Sequence, residues 1–157
     1  MNEHITYSET LLTVSEVQLI YRSKVKPADR PIIRTSMDAY QIFRANWDPD
    51  KIEYIEQFKV LYLNRGNRVL GLNEISSGGL TGTVADPRLI FAAALQLNAT
   101  GIMLSHNHPS GQLSPSERDK LLTEKIKLAG NLLDIKVYDH LIISTEGYFS
   151  FADEGFL

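Results

Sequence analysis

The period of the hydrophobic positions changes several times along the chain, and each change marks an element. Apolar and polar residues alternate over residues 13–23, with Val17, Leu19 and Tyr21 on one side, which predicts a strand behind a loose arm at residues 1–12. Pro27 and Pro31 make residues 24–33 a connection. The spacing then turns helical. Met37, Tyr40, Phe43 and Trp47 recur on one face with Ile42 beside them, Ser36 stands in front as N-cap, and Asp48-Pro49-Asp50 is the stop. The strand formers Phe58-Lys59-Val60-Leu61-Tyr62-Leu63, the turn Asn64-Arg65-Gly66-Asn67 and a second run over residues 68–75 predict a hairpin.

Residues 76–83 are rich in glycine and serine and predict a flexible loop, after which Asp86 and Pro87 supply the N-cap and first-turn proline of a helix to about Leu97. Leu89-Ile90-Phe91-Ala92-Ala93-Ala94-Leu95 is apolar all round, so that helix is expected to be buried. The run Gly101-Ile102-Met103-Leu104 has the character of a buried strand and delivers the chain into His106. Ser114-Pro115-Ser116-Glu117 reads as a capping box with proline in the first helical position, and Leu122, Ile126, Ala129 and Leu133 give the following helix its apolar stripe. Three short strands are expected at residues 135–138, 141–144 and 148–151, with Thr145-Glu146-Gly147 as the last turn. The order of elements is mixed α/β, without an internal repeat.

A chain of 157 residues is the length of one ordinary domain and buries roughly two thirds of its unfolded surface. Its 43% hydrophobic and 22% charged residues place it among globular rather than disordered chains. The absence of cysteine excludes disulfides, thiolate zinc ligands and cysteine nucleophiles, so any metal must be held by histidine and carboxylate. No basic-then-apolar leader opens the sequence and no apolar stretch reaches ~18 residues, so a cytoplasmic protein without membrane contact is expected. A net charge of -3 offers no field for phosphate backbones, and direct DNA binding is not expected.

The chemistry concentrates between His106 and Asp119. Histidines at i and i+2 on an extended segment project to the same side, so both imidazoles can reach one ion at about 2.0 Å. Asp119 is expected in the second turn of its helix, on the face that carries Leu122, where a carboxylate is costly unless something positive pairs with it. Two histidines and one carboxylate leave a fourth tetrahedral position for water, the arrangement of a catalytic zinc site, and zinc lowers the pKa of that water to roughly 7. An outer carboxylate must then take and return the proton. Glu56, just before the strand at residues 58–63, is the candidate, and Glu74 at the end of the paired strand is the second choice. Ser116 is a candidate donor to a developing oxyanion.

Each of these residues also has a plainer reading. Asp119 near a helix start is already favoured by the helix dipole, Ser116 can act as a cap alone, and a glutamate before a strand is commonly just exposed. His140 is expected to bond to backbone or to its neighbour Asp139 rather than to a metal. The glycine loop lacks the lysine and spacing of a P-loop.

These residues resemble the signature of the JAMM, or MPN-type, metalloproteases: a remote Glu, then His-x-His, seven residues, and Ser-x-x-Asp. His106-Asn107-His108, the seven residues from Pro109 to Pro115, and Ser116-Glu117-Arg118-Asp119 match it without a gap. More narrowly, His106-Asn107-His108-Pro109-Ser110-Gly111, Pro115-Ser116, Asp119, Asp139-His140-Leu141-Ile142 and Tyr148-Phe149-Ser150-Phe151-Ala152 resemble the bacterial RadC proteins, over a stretch from about Ser36 to Leu157. The resemblance implies a cytidine-deaminase-like three-layer α/β fold, a JAB/MPN domain at residues 36–157 with a mixed sheet flanked by helices, behind an arm and edge strand at residues 1–35. It implies zinc on His106, His108 and Asp119, and it favours Glu56 as acid/base because family members carry a Glu just before the first core strand.

RadC proteins usually carry an N-terminal helix-hairpin-helix region, and residues 1–35 are too short and strand-like to be one. The DNA-contacting module behind the family's DNA-repair label is therefore not expected in this chain. The function expected is zinc-dependent hydrolysis of a peptide or isopeptide substrate. The alternative is a non-catalytic accessory protein of DNA repair or mobile elements. A base deaminase would need His-x-Glu with Pro-Cys-x-x-Cys, which a chain without cysteine excludes. The sequence leaves the oligomeric state open.

Overall fold

The computed structural model describes residues 14–18, 20–78 and 84–157. The elements run α1 (Ser36–Ala45), β1 (Gln57–Leu63), β2 (Val69–Ser77), α2 (Pro87–Gln96), β3 (Gly101–Asn107), α3 (Glu117–Leu132), β4 (Lys136–Ile143) and β5 (Tyr148–Ser150). They build one three-layer α/β domain, consistent with a JAB/MPN fold. A mixed sheet in the order β2-β1-β3-β4-β5 lies between α1 on one face and α2 with α3 on the other. Only β3 and β4 pair in parallel, and α3 is their crossover.

The central strands β1 and β3 are buried at every position, which is why their apolar runs show no alternation with polar residues. Phe58, Val60, Tyr62, Ile102 and Leu104 pack toward Ile90, Phe91 and Ile126, while Leu61, Leu63 and Met103 pack toward Phe43 and Trp47. The hairpin between β1 and β2 is set by Asn64, whose side-chain oxygen accepts from the N–H groups of Gly66 and Arg68, and by Asn67 at φ +55. Gly130 lets α3 close on the chain entering β4, since a Cβ there would collide with the Ile135 carbonyl oxygen.

Several local expectations are corrected. No strand forms among the described residues of the 13–23 stretch. Val14 and Val17 are 86% and 82% exposed, and the segment is held instead by the Tyr21 hydroxyl donating to the Leu70 carbonyl and by Gln96 donating to the Ile20 carbonyl. Alternation makes a strand only where a ladder accepts it, and β2 finds its ladder in β1. The N-cap of α1 is Thr35, one residue earlier than expected, because Asp38 then completes a capping box. In α2 only one face is buried; Leu89 and Leu95 are more than half exposed. The strands expected at 135–138 and 141–144 are one strand, β4, because the polar pair between them is satisfied inside the fold. The expected loop at 76–83 begins beyond Ser77, the last residue of β2, and its residues 79–83 lie outside those described, as do the arm at 1–12, Thr13 and Leu19. No helix among the described residues is long and apolar enough to cross a membrane.

Candidate metal centre

The end of β3 aims His106 to the face of the sheet covered by α3, and the two-residue period sends His108 the same way. Asn107 between them turns to the other side. Its amide donates to the carbonyls of Ile52 and Ile55 and accepts from the N–H of Gln57 at 2.7 Å, which fastens the segment carrying Glu56 beside the histidines.

Asp119 arrives from α3. The helix starts two residues later than the sequence suggested: Ser116, not Ser114, is the N-cap, and Asp119 rather than Glu117 completes the capping box. Asp119 therefore sits in the first turn, where the Ser116 N–H and hydroxyl both donate to its Oδ2, at 2.7 and 2.6 Å. The proton of Ser116 is committed to Asp119 here, and its oxygen accepts from the Asp119 N–H.

The three side chains converge. His106 Nε2 lies 3.0 Å from His108 Nε2 and 3.3 Å from Asp119 Oδ1, and His108 Nε2 lies 3.5 Å from Asp119 Oδ2. Ligands held about 2.0 Å from one ion at tetrahedral angles are roughly 3.3 Å apart, so the three side chains form a group that could hold a metal ion. The proton pattern agrees. His108 Nδ1 lies 2.7 Å from the Gln112 carbonyl, which can only accept, so its proton is on Nδ1 and its Nε2 is a lone pair. His106 Nδ1 lies 2.8 Å from His140 Nε2, turning its own Nε2 toward His108 and Asp119. Two such nitrogens beside a carboxylate attract a cation or a proton. Accordingly, Asp119, by accepting a hydrogen bond from protonated His108, raises the pKa of His108 against its burial, with the charges of Asp119 and Glu56 adding to it. Burial alone would raise the Asp119 carboxyl, but once the imidazoles take up a proton, hydrogen bonds from His106 and His108, the charge of His106 and the Ser116 hydroxyl hold it well below the usual carboxylate range.

The structure separates the two candidate acids. Glu56 is half-buried, on the His108 side. Glu74 pairs across the hairpin with Lys59 and lies on the α1 face of the sheet, away from His106, where it accepts from Gln57 Nε2 at 2.8 Å and meets Lys59 Nζ at 3.4 Å. His108 also forms one wall of a polar cleft of about 450 Å³ bounded by Glu53, Ser110, Ser144 and Thr145.

Comparison with known proteins agrees with this geometry. A family model described as the RadC-like JAB domain matches residues 33–156. The chain belongs to the RadC family. Three of its RadC-family relatives are a UPF0758 protein of Flavobacterium johnsoniae, 53% identical over 100 residues, one of Thermotoga maritima, 42% identical over 104, and UPF0758 protein YeeS of Escherichia coli, 43% identical over 102. These matches cover 64–65% of this chain but 44%, 47% and 69% of the respective relatives, so the chain spans less than half the length of the first two.

Sequence reasoning missed the parts played by Asn107, Thr123 and His140. The ring of His140 bonds to His106 and to Thr123, while its backbone N–H bonds to the Asp139 carboxylate. A histidine leading into the apolar run Leu141-Ile142-Ile143 was the available signal, since a buried imidazole must find partners.

Proposed function

We propose that this RadC-family chain is a zinc-dependent hydrolase of amide or isopeptide bonds in a peptide substrate. The observation that carries the reading is the convergence of two imidazole Nε2 atoms and one carboxylate near the end of β3, a donor set that suits zinc. His106, His108 and Asp119 would hold the metal. Bound there, zinc would supply a water of pKa roughly 7 and polarise a substrate carbonyl. Glu56 takes the water's proton and returns it to the leaving nitrogen. Glu74 is not given this part, because its carboxylate is engaged with Lys59 on the other face. Ser116 would donate to the developing oxyanion, its hydroxyl exchanging Asp119 Oδ2 for that oxygen. The cleft beside His108 receives the substrate.

Elemental analysis of protein purified without chelator tests the centre. The expected result is about one zinc per chain, lost in His106→Ala and in Asp119→Ala. The zinc-loaded chain should then cleave members of a peptide and isopeptide library, with turnover reduced about 10²–10⁴-fold in Glu56→Gln. No metal after zinc addition would sink the reading. Stoichiometric zinc without any cleavage would favour an accessory, non-catalytic protein.

A further inference from the structure

We propose that Thr123 and His140 are positioning residues that dictate which nitrogen of His106 carries its proton. The inference rests on the reading of His106 as a metal ligand. Three hydrogen bonds join α3, β4 and β3 into one chain, and only one direction of donation is open along it. It begins at the main-chain carbonyl of Asp119, which can only accept. The single proton of Thr123 goes there, at 2.6 Å. Thr123 Oγ1 must then accept from His140 Nδ1, also at 2.6 Å. With its proton on Nδ1, neutral His140 presents a bare Nε2, which accepts from His106 Nδ1 at 2.8 Å. His106 is left with a lone pair on Nε2, the atom 3.3 Å from Asp119 Oδ1.

The surroundings hold the relay in place, and burial disfavours a charge on His140. His140 is fully buried, stacked on Phe151 at 4.8 Å and edge-on to Phe58 at 5.5 Å, so no water competes for either ring nitrogen. Phe58 also stacks on His106. A neutral imidazole left to itself populates both tautomers, and the form protonated on Nε2 cannot bind a metal through that atom. A hydroxyl one turn along the helix from Asp119 therefore prepares a second ligand on a different element. The partner that orients such a histidine is commonly a carboxylate or a carbonyl; here it is a second histidine, which transmits a carbonyl's demand for a proton across two strands and a helix.

The test compares the native chain with Thr123→Val, which keeps the shape and deletes the hydroxyl, with Thr123→Ser, which restores it, and with His140→Leu. Two quantities are read: zinc affinity by chelator competition, and the ¹⁵N chemical shifts of the His106 ring in zinc-free protein. Thr123→Val and His140→Leu should weaken zinc about 10–100-fold and mix the His106 tautomers, and Thr123→Ser should resemble the native chain in both. Native-like affinity with a single, unchanged tautomer in Thr123→Val overturns the proposal. Should the native chain bind no zinc, the metal reading fails by itself, while the ring shifts still decide for or against the relay.

Discussion

Asn107 stands between two histidines that converge on one point, and it turns the other way. The alternation that aims His106 and His108 at Asp119 is thus the alternation that lets Asn107 hold residues 52–57, so the convergence of the two histidines and the placement of Glu56 have a common origin. His106, His108 and Asp119 were legible in the sequence because their spacing is local. Thr123 and His140 were not: His140 meets His106 across 34 positions of chain, and only strand register brings them together.

Asp139 carries a pH prediction at this same scale. Burial raises its carboxyl pKa, against the hydrogen bonds it accepts from Ser150 Oγ, the Ala152 N–H and the His140 N–H. A folded-state pKa above the unfolded value, about 3.9, contributes stability that is full below that value and is lost as pH rises through the folded one. The stability of the native chain relative to Asp139→Asn is therefore expected to fall as pH is raised from 4 toward 7 in chemical-denaturation experiments. A difference that grows over that range would contradict the assigned direction.

Helix starts and strand ends were the least legible elements, for two physical reasons. The segment Ser114-Pro115-Ser116-Glu117-Arg118-Asp119 contains two overlapping serine-to-acid boxes, and the fold uses the second, in which Asp119 both caps the helix and faces the histidines. In β4 the polar Asp139-His140 pair looks like a break, but every demand of those side chains is met by β5, α3 and β3, so the strand runs through. Element packing also yields a prediction about glycines. A methyl group at Gly130 would meet backbone, the Ile135 carbonyl, whereas one at Gly101 would meet the Tyr138 ring, which can swing aside. Alanine gains about 1 kcal/mol of helix propensity over glycine, but overpacking costs about 1–3 kcal/mol. Gly130→Ala is expected to be net destabilising, by up to about 2 kcal/mol, and more so than Gly101→Ala. Equal midpoints for the two variants in urea would show that α3 can lift off β4 at little cost.

Across the whole molecule, the general architecture was legible: first helix, hairpin, second helix, strand into motif, a third helix and closing strands occur in the expected order, although α2 is buried on one face only. The order of strands across the sheet was not, because β1 enters between β2 and β3 through contacts no local pattern encodes. That order puts the site at the carboxyl end of β3, where the crossover to β4 departs, the crevice at which open α/β sheets collect their ligands. His106 lies in β3 and His108 just beyond it, while Asp119 belongs to α3, with the largely exposed residues 109–116 slung between them. An ion gripping His108 and Asp119 would therefore act as a latch across the base of that sling. Its occupancy should be written in the chain's lifetime under a protease: cleavage within 109–116 slows when zinc is supplied in excess and speeds when a chelator removes it, so a gel could report the state of the centre before any substrate is known.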